Sequence, residues 1–307
     1  MAQIAFLEMK SQINEFRIFL KDERKMKENT VLSYLRDINS FFSYCEDNGF
    51  LETSLMDEAF NDYTEHLKTT KSPATVSRNI ASIRKFFRFL KDKGLIQKNP
   101  TKGVLYEKDL KSDEDFEVLT TDEIDKLIDS VKEESIKGYR DEAILETLYA
   151  CGLKVSELIN LKISDLSLNE GYITVTNDEH RYIPIYKGAV KAIRQYIKKG
   201  RKYLTNDKKN DFLFLTKDGK AFSRQGMWKL LKSLGKKAKL KKELTPHIIR
   251  RSMATHLLEN GADIYDVQAV LGHKSVNQTK EYLRNLKPSV MSTYIKAHPK
   301  AEKSDRE

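Results

Sequence analysis

Apolar positions in the first hundred residues recur with a helical period. Ile13, Phe16, Phe19 and Leu20 fall at i, i+3, i+6 and i+7, one face of a helix. A second helix is predicted from about Thr30 to Asn48, with Leu35, Ile38, Phe41 and Phe42 inward, and Gly49 suits its C-terminal cap. A weaker amphipathic stretch covers Asp57 to Lys68. A fourth helix is predicted to start at Ser72-Pro73, where proline fits a first turn, and to stop before Gly94. Helices two and four share a pattern: Thr30-Val31, Phe41-Phe42 and Gly49 match Thr75-Val76, Phe86-Phe87 and Gly94 at a constant offset of 45. An internal duplication would produce this, and so would the general likeness of amphipathic helices that carry Phe pairs. Under both readings residues 1–98 form a small all-helical domain.

Residues 99–118 hold Pro, Gly and mixed charge with no sustained apolar period, which marks a linker. A new start signal follows, Thr120 with Glu123 in a capping box before Ile124, Leu127, Ile128 and Val131. Helices are predicted at about Gly138–Ala150 and Lys154–Leu161. The period then changes to that of strands at Gly171–Thr176 and Arg181–Ile185. Helices resume at about Gly188–Lys199. Phe212-Leu-Phe-Leu215 reads as a third strand or a buried turn. Four more helices are expected at Arg224–Ala238, Pro246–Glu259, Asp263–Leu271 and Ser275–Leu283, the last with Ser275 and Gln278 as a capping box. A short helix is expected at Ser289–His298, and residues 300–307 read as a disordered tail. The fold class is mainly α with a small antiparallel sheet, in two domains, 1–98 and 119–299.

Composition narrows the class of function. Fourteen Phe and fourteen Tyr in 307 residues argue against wholesale disorder. No apolar run approaches the ~18 residues of a membrane span, and the N-terminus lacks a signal-peptide pattern. Two cysteines, Cys45 and Cys151, make neither a disulfide framework nor a zinc site. A soluble, cytoplasmic protein without a membrane partner is expected. The net charge of +10 is unevenly placed. Residues 1–110 carry +2, residues 111–170 carry −9 and residues 171–307 carry +17. Between Lys198 and Lys242 stand sixteen Lys/Arg and three Asp. Asymmetry of this size marks a surface that meets phosphates, although a solvated lysine-rich face has the same composition.

Candidate chemistry lies in the same region. Thr245 and Pro246 are a natural N-cap and first residue of a helix, and His247 and Arg250 share a face of its first turn. The positive dipole end there favours an anion. Leu271-Gly272-His273 closes the next helix, and Tyr282 follows nine residues later. Taken together, His247-x-x-Arg250, Leu271-Gly272-His273 and Tyr282 resemble the C-terminal signature of the tyrosine recombinases, the integrase family. Thr255-His-Leu-Leu-Glu-Asn-Gly-Ala-Asp263 and Tyr149-Ala-Cys-Gly-Leu-Lys-Val-Ser-Glu-Leu158 are similar to the Xer branch.

The resemblance spans nearly the whole chain and implies a metal-free, cofactor-free phosphoryl transfer on double-stranded DNA at a specific site. The Tyr282 hydroxyl would attack a phosphodiester and leave a 3′-phosphotyrosyl link with a free 5′-hydroxyl, and a partner strand would then rejoin the backbone. A phenol, with an ordinary pKa of about 10, must lose its proton during that attack. The pentavalent phosphate needs fixed cationic donors on its non-bridging oxygens. By the resemblance Arg250 supplies a bidentate fork, and His247 and His273 supply hydrogen bonds and proton management. The two domains would close as a C-shaped clamp, with Arg36, Arg78, Arg84, Lys85 and Arg88 as candidate DNA contacts of the first. In the second, Arg181 is a further candidate DNA contact, and Lys198, Lys199, Arg201 and Lys202 would grip phosphates. A homo- or hetero-tetramer on two sites is implied, with Ser289–His298 passed between neighbours. Resolution of chromosome or plasmid dimers, in support of chromosome partition and cell division, is favoured over a mobile-element role.

Two positions depart from the family pattern. Lys154 stands where the family has Arg, and lysine lacks the planar fork. The family's hairpin-turn Lys falls at Asp178, within Thr176-Asn-Asp-Glu-His180, with His180 or Arg181 as candidate substitutes. These departures leave two functional readings, an active recombinase and a DNA-binding paralogue that cleaves poorly.

Overall fold

The computed structural model describes residues 5–102, 117–176, 180–205 and 210–285. The chain divides into two compact units, Met1–Asp113 and Glu114–Glu307. The hairpin turn with Asp178, the expected helix at Ser289–His298, the tail and most of the linker lie outside the described residues. Among those described, no helix is long and apolar enough to cross a membrane.

The first unit is helical: α1 (Phe6–Ser11), α2 (Ile13–Ile18) running into a wider turn at Phe19–Glu23, α3 (Glu28–Asp47), α4 (Met56–Thr70) and α5 (Pro73–Asp92). Helices α3 and α5 pack together through the repeated Phe pairs, all four rings fully buried. Phe42 meets Phe86 with ring centroids 5.8 Å apart, and Phe41 meets Phe87 at 5.9 Å, both edge to face. Shifting by 45 residues maps the first ring pair onto the second, as a pseudo-two-fold helix pair requires. One polar contact of the interface has the same spacing: Ser82 donates to Asp37, 45 positions away, at 2.8 Å. Arg78, 41 positions away, also donates to the buried Asp37, at 2.9 Å. Burial raises the Asp37 pKa, while the Ser82 hydrogen bond and the Arg78 and Arg36 charges pull it back. Gly49 and Gly94 both end their helices with positive φ, 77° and 71°.

The second unit is built around α7 (Ile136–Cys151), whose Ala143, Ile144, Leu145, Leu148 and Cys151 are all buried. It is preceded by α6 (Thr121–Asp129), where Thr120 and Glu123 exchange the expected capping-box hydrogen bonds. After α8 (Val155–Asn160) come β1 (Leu166–Ser167), β2 (Tyr172–Val175) and β3 (Arg181–Pro184), then α9 (Lys187–Gln195), α10 (Arg224–Lys237), α11 (Pro246–Glu259), α12 (Ile264–Leu271) and α13 (Val276–Lys280). A 3₁₀ turn at Glu281–Asn285 completes the described chain. The strands form one antiparallel sheet in the order β1-β2-β3, with Ile173 paired to Ile183 and to Leu166. Ile173, Val175 and Ile183 point into the core, and Tyr172 and Tyr182 meet on the outer face. The third strand is Leu166–Ser167. Phe212–Leu215 makes only isolated bridges, Lys162 with Phe212 and Leu215 with Ala221, and buries Leu213, Phe214 and Leu215 completely. Of the two readings of that segment, the buried turn is the one found.

Candidate active site

Three helix ends and one strand converge in the second unit. Helix α7 ends at Gly152, whose φ of +56° turns the chain toward α8. The positive φ favours glycine, and a Cβ there would also displace the Met253 side-chain methyl and lie 3.0 Å from Leu271. Helix α12 ends the same way at Gly272, φ +63°, which presents His273. Helix α11 starts at Thr245, whose hydroxyl accepts from the Ile248 N–H at 3.1 Å, with Pro246 in its first turn.

Arg250, one turn into α11, is 5% exposed. Its Nη1 donates to the Gly152 carbonyl at 2.5 Å and its Nη2 to the Leu271 carbonyl at 2.8 Å. The guanidinium therefore ties the ends of α7 and α12 to the start of α11. Burial lowers its pKa, while the neighbouring Tyr282 and Glu157 oppose that shift. An arginine so placed stays protonated at neutral pH. Two hydrogen bonds leave three of its five N–H groups to meet Tyr282 and a further anion.

Tyr282 sits in the 3₁₀ turn after α13, 9% exposed, packed with Met253, Ala254, Val267 and Leu271. Its ring stacks on His273 at 5.9 Å with 24° between planes. His273 Nδ1 lies 2.9 Å from the Thr279 hydroxyl on α13. Its pKa is pushed down to about 4, first by burial and then by the Arg250 and Lys154 charges, with Arg181 adding to them and Glu281 opposing. His273 is therefore neutral at pH 7. When Thr279 donates to Nδ1, Nε2 carries the proton and is a donor.

His247 is exposed at the start of α11, beside Trp228 of α10 at 6.4 Å between rings, and desolvation with the Arg251 and Arg250 charges lowers its pKa. Lys154 caps α8 with an exposed side chain, and its backbone N–H donates to Glu157 at 2.9 Å. The structure thus gathers Lys154, Arg250, His273 and Tyr282, with His247 beside Arg250. Sequence reasoning passed over Thr279 and the Glu157 carboxylate. The glutamate three residues after Lys154 was the available signal, since that spacing suits a carboxylate reaching back to a helix start.

The expected DNA contacts divide. Arg36 and Arg88 of the first unit are exposed, Arg84 and Lys85 are half-buried, and Lys85 lies over the Tyr34 ring. Burial, and then the Arg24 and Arg88 charges, lower the Lys85 pKa. Arg78 is instead engaged with Asp37. In the second unit Lys198, Lys199 and Lys202 are exposed, Lys199 over the Tyr139 ring and Lys202 over the Tyr203 ring. Arg201 gives Nε and Nη2 to the carbonyls of Phe212 and Asn210, and so holds that buried turn. Arg181, expected on the DNA-facing surface, has its guanidinium inside the site. There it donates to Glu157 at 2.8 Å and to the Val270 carbonyl at 3.0 Å.

Comparison with known proteins places this geometry. The phage integrase family model matches residues 117–288, and the phage integrase N-terminal SAM-like domain matches residues 13–94. The tyrosine recombinase XerD of Listeria innocua serovar 6a is 38% identical over 299 residues, covering 95% of this chain and 100% of that protein. A putative tyrosine recombinase of Caldanaerobacter subterraneus subsp. tengcongensis is 40% identical over 293 residues, covering 95% and 99%. Among solved structures, the XerA recombinase matches with 26% identity and a TM-score of 0.53 over 95% of this chain and 98% of that one. The XerH site-specific recombinase bound to its difH substrate matches in fold, with 21% identity and a TM-score of 0.69 over 92% and 83%.

Proposed function

The chain belongs to the phage integrase family and is a site-specific tyrosine recombinase, and on that premise we propose that Tyr282 cuts and rejoins double-stranded DNA. In the proposed step the Tyr282 oxygen bonds to the scissile phosphorus as the bond to the 5′-oxygen breaks. The phenolic proton leaves, the 5′-oxygen gains a proton, and the phosphate remains on Tyr282 through its 3′ side. Attack by a partner strand's 5′-hydroxyl reverses the bond changes without outside energy. Arg250 and Lys154 hold the non-bridging oxygens, and neutral His273, with His247, donates hydrogen bonds to them. The observation that carries this reading is the buried cluster in which His273 stacks on the Tyr282 ring and Arg250 lies close enough to interact with Tyr282 electrostatically. It joins the nucleophile to the cation that offsets charge on the phosphate. Preorganised donors of this kind are typically worth about 10²–10³ in rate each. The paralogue that binds without cutting is not favoured, because the near-full-length relatives are named as recombinases.

We assign residues 1–98 to a core-binding domain and 119–299 to catalysis, working in the cytoplasm as a tetramer on two sites. The biological reaction we propose is the resolution of chromosome or plasmid dimers. Its test starts with a duplex enriched from a randomised library by binding to the protein. Two direct copies of that site are placed in a supercoiled plasmid. The chain, alone or with a second recombinase of the same cell, is expected to release two circles. Binding to both copies without circles in either setting contradicts the proposal, and preferred insertion of one circle into another favours the mobile-element role.

A further inference from the structure

Arg181 stands where three elements of the site meet. It begins β3, its Nε donates to the Val270 carbonyl at the end of α12, and its Nη2 donates to Glu157 of α8. The Glu157 oxygen that receives Arg181 also receives the Lys154 backbone N–H. The Glu157 side chain is 3% exposed and the Arg181 side chain 15%. Gly272, the residue before His273, makes room for the guanidinium. A Cβ at Gly272 would lie 2.8 Å from Arg181 Nη1 and 3.0 Å from its Cζ. The planar fork serves the two acceptors from two separate nitrogens held in a rigid plane, whereas a lysine ammonium is a single point donor on a flexible stem.

We propose that Arg181 is a positioning residue for strand cleavage, bridging Glu157 and the Val270 carbonyl so that Lys154 and His273 are held at one spacing across the phosphate site. This rests on the assignment of that site to cleavage by Tyr282. In a chain with lysine at position 154, whose side chain is the more flexible, fixing its backbone from Glu157 limits where the ammonium reaches. Removing Arg181 alone strands the buried Glu157 charge, so two variants that avoid this are informative. Arg181→Lys keeps the ion pair and loses the fork. Arg181→Met with Glu157→Gln removes both charges.

The assay is single-turnover covalent capture on the enriched duplex, nicked next to the cleavage position and saturating, with binding measured alongside. Both variants are expected to cleave at least ~10-fold more slowly while binding within about twofold of wild type, the split expected when a transition-state interaction is removed. Failure of lysine to rescue separates the fork from its charge. Arg181→Lys at the wild-type rate overturns the proposal, as does a parallel loss of binding and cleavage. If the neutral pair does not fold, Arg181→Lys decides alone. A wild-type chain that forms no adduct would instead overturn the Tyr282 assignment.

Discussion

His273 gives the residue scale its clearest measurable consequence. Burial and the Arg250 and Lys154 charges push its pKa down to about 4 from an ordinary 6.5. Above pH 6.5 it is neutral in both the folded and unfolded chain and adds no pH dependence. As pH falls from 6.5 toward 4 the unfolded chain takes up a proton that the folded chain refuses, so stability is lost across that window. After allowance for partial solvent exposure the loss is up to about 2 kcal/mol. Urea unfolding of DNA-free protein is therefore expected to show His273→Asn losing less stability than wild type between pH 6.5 and 5. Parallel curves would contradict the neutral, desolvated His273 of this site. The residues named by motif, Lys154, His247, Arg250, His273 and Tyr282, were legible because each stands in a short local pattern. Arg181 was named only as a DNA contact or a substitute for the turn lysine, and its bridging role was not legible, because what defines it is a pair of acceptors 24 and 89 positions away. Burial among distant elements leaves no trace in local spacing.

At the scale of elements, the strongest signals were caps and periods. Thr120 with Glu123 and Thr245 with Pro246 mark helix starts that the structure reproduces, because a capping hydrogen bond is closed within three residues. Helices α3 and α5 follow from their Phe pairs, and their mutual packing follows from the repeat that those pairs carry. The sheet was read less fully. Four apolar residues in a row at Phe212–Leu215 satisfy a buried turn as well as a strand, and Arg201 settles the outcome by taking the Phe212 carbonyl. The true third strand, Leu166–Ser167, has two residues, too few to show a period of two. It exists because Leu166 and Ser167 pair with Ile173 and Tyr172, a partnership fixed by the fold.

At the scale of the whole molecule, charge is the property that composition already held. The +17 of residues 171–307 contains two populations that a count cannot separate. Arg181 and Arg201 are spent on carbonyls and a carboxylate, and Arg250 is buried with donors left for the phosphate, whereas Lys198, Lys199 and Lys202 are exposed. Replacing these three lysines by alanine is expected to weaken DNA binding about equally for all sequences and to flatten the salt dependence. The slope of log K against log salt should fall by about 0.9 for each phosphate that is no longer neutralised. An unchanged slope would remove that face from the interface. The behaviour of the whole molecule turns on the link between charge and chemistry at one phosphate. The most direct test of that link is covalent trapping on the nicked duplex, followed by mass spectrometry of the DNA-linked peptide. The predicted result is a 3′-phosphate on Tyr282, a released 5′-hydroxyl, and no adduct from Tyr282→Phe. Tight, specific binding with no adduct from the wild type, or attachment at another residue, would contradict it.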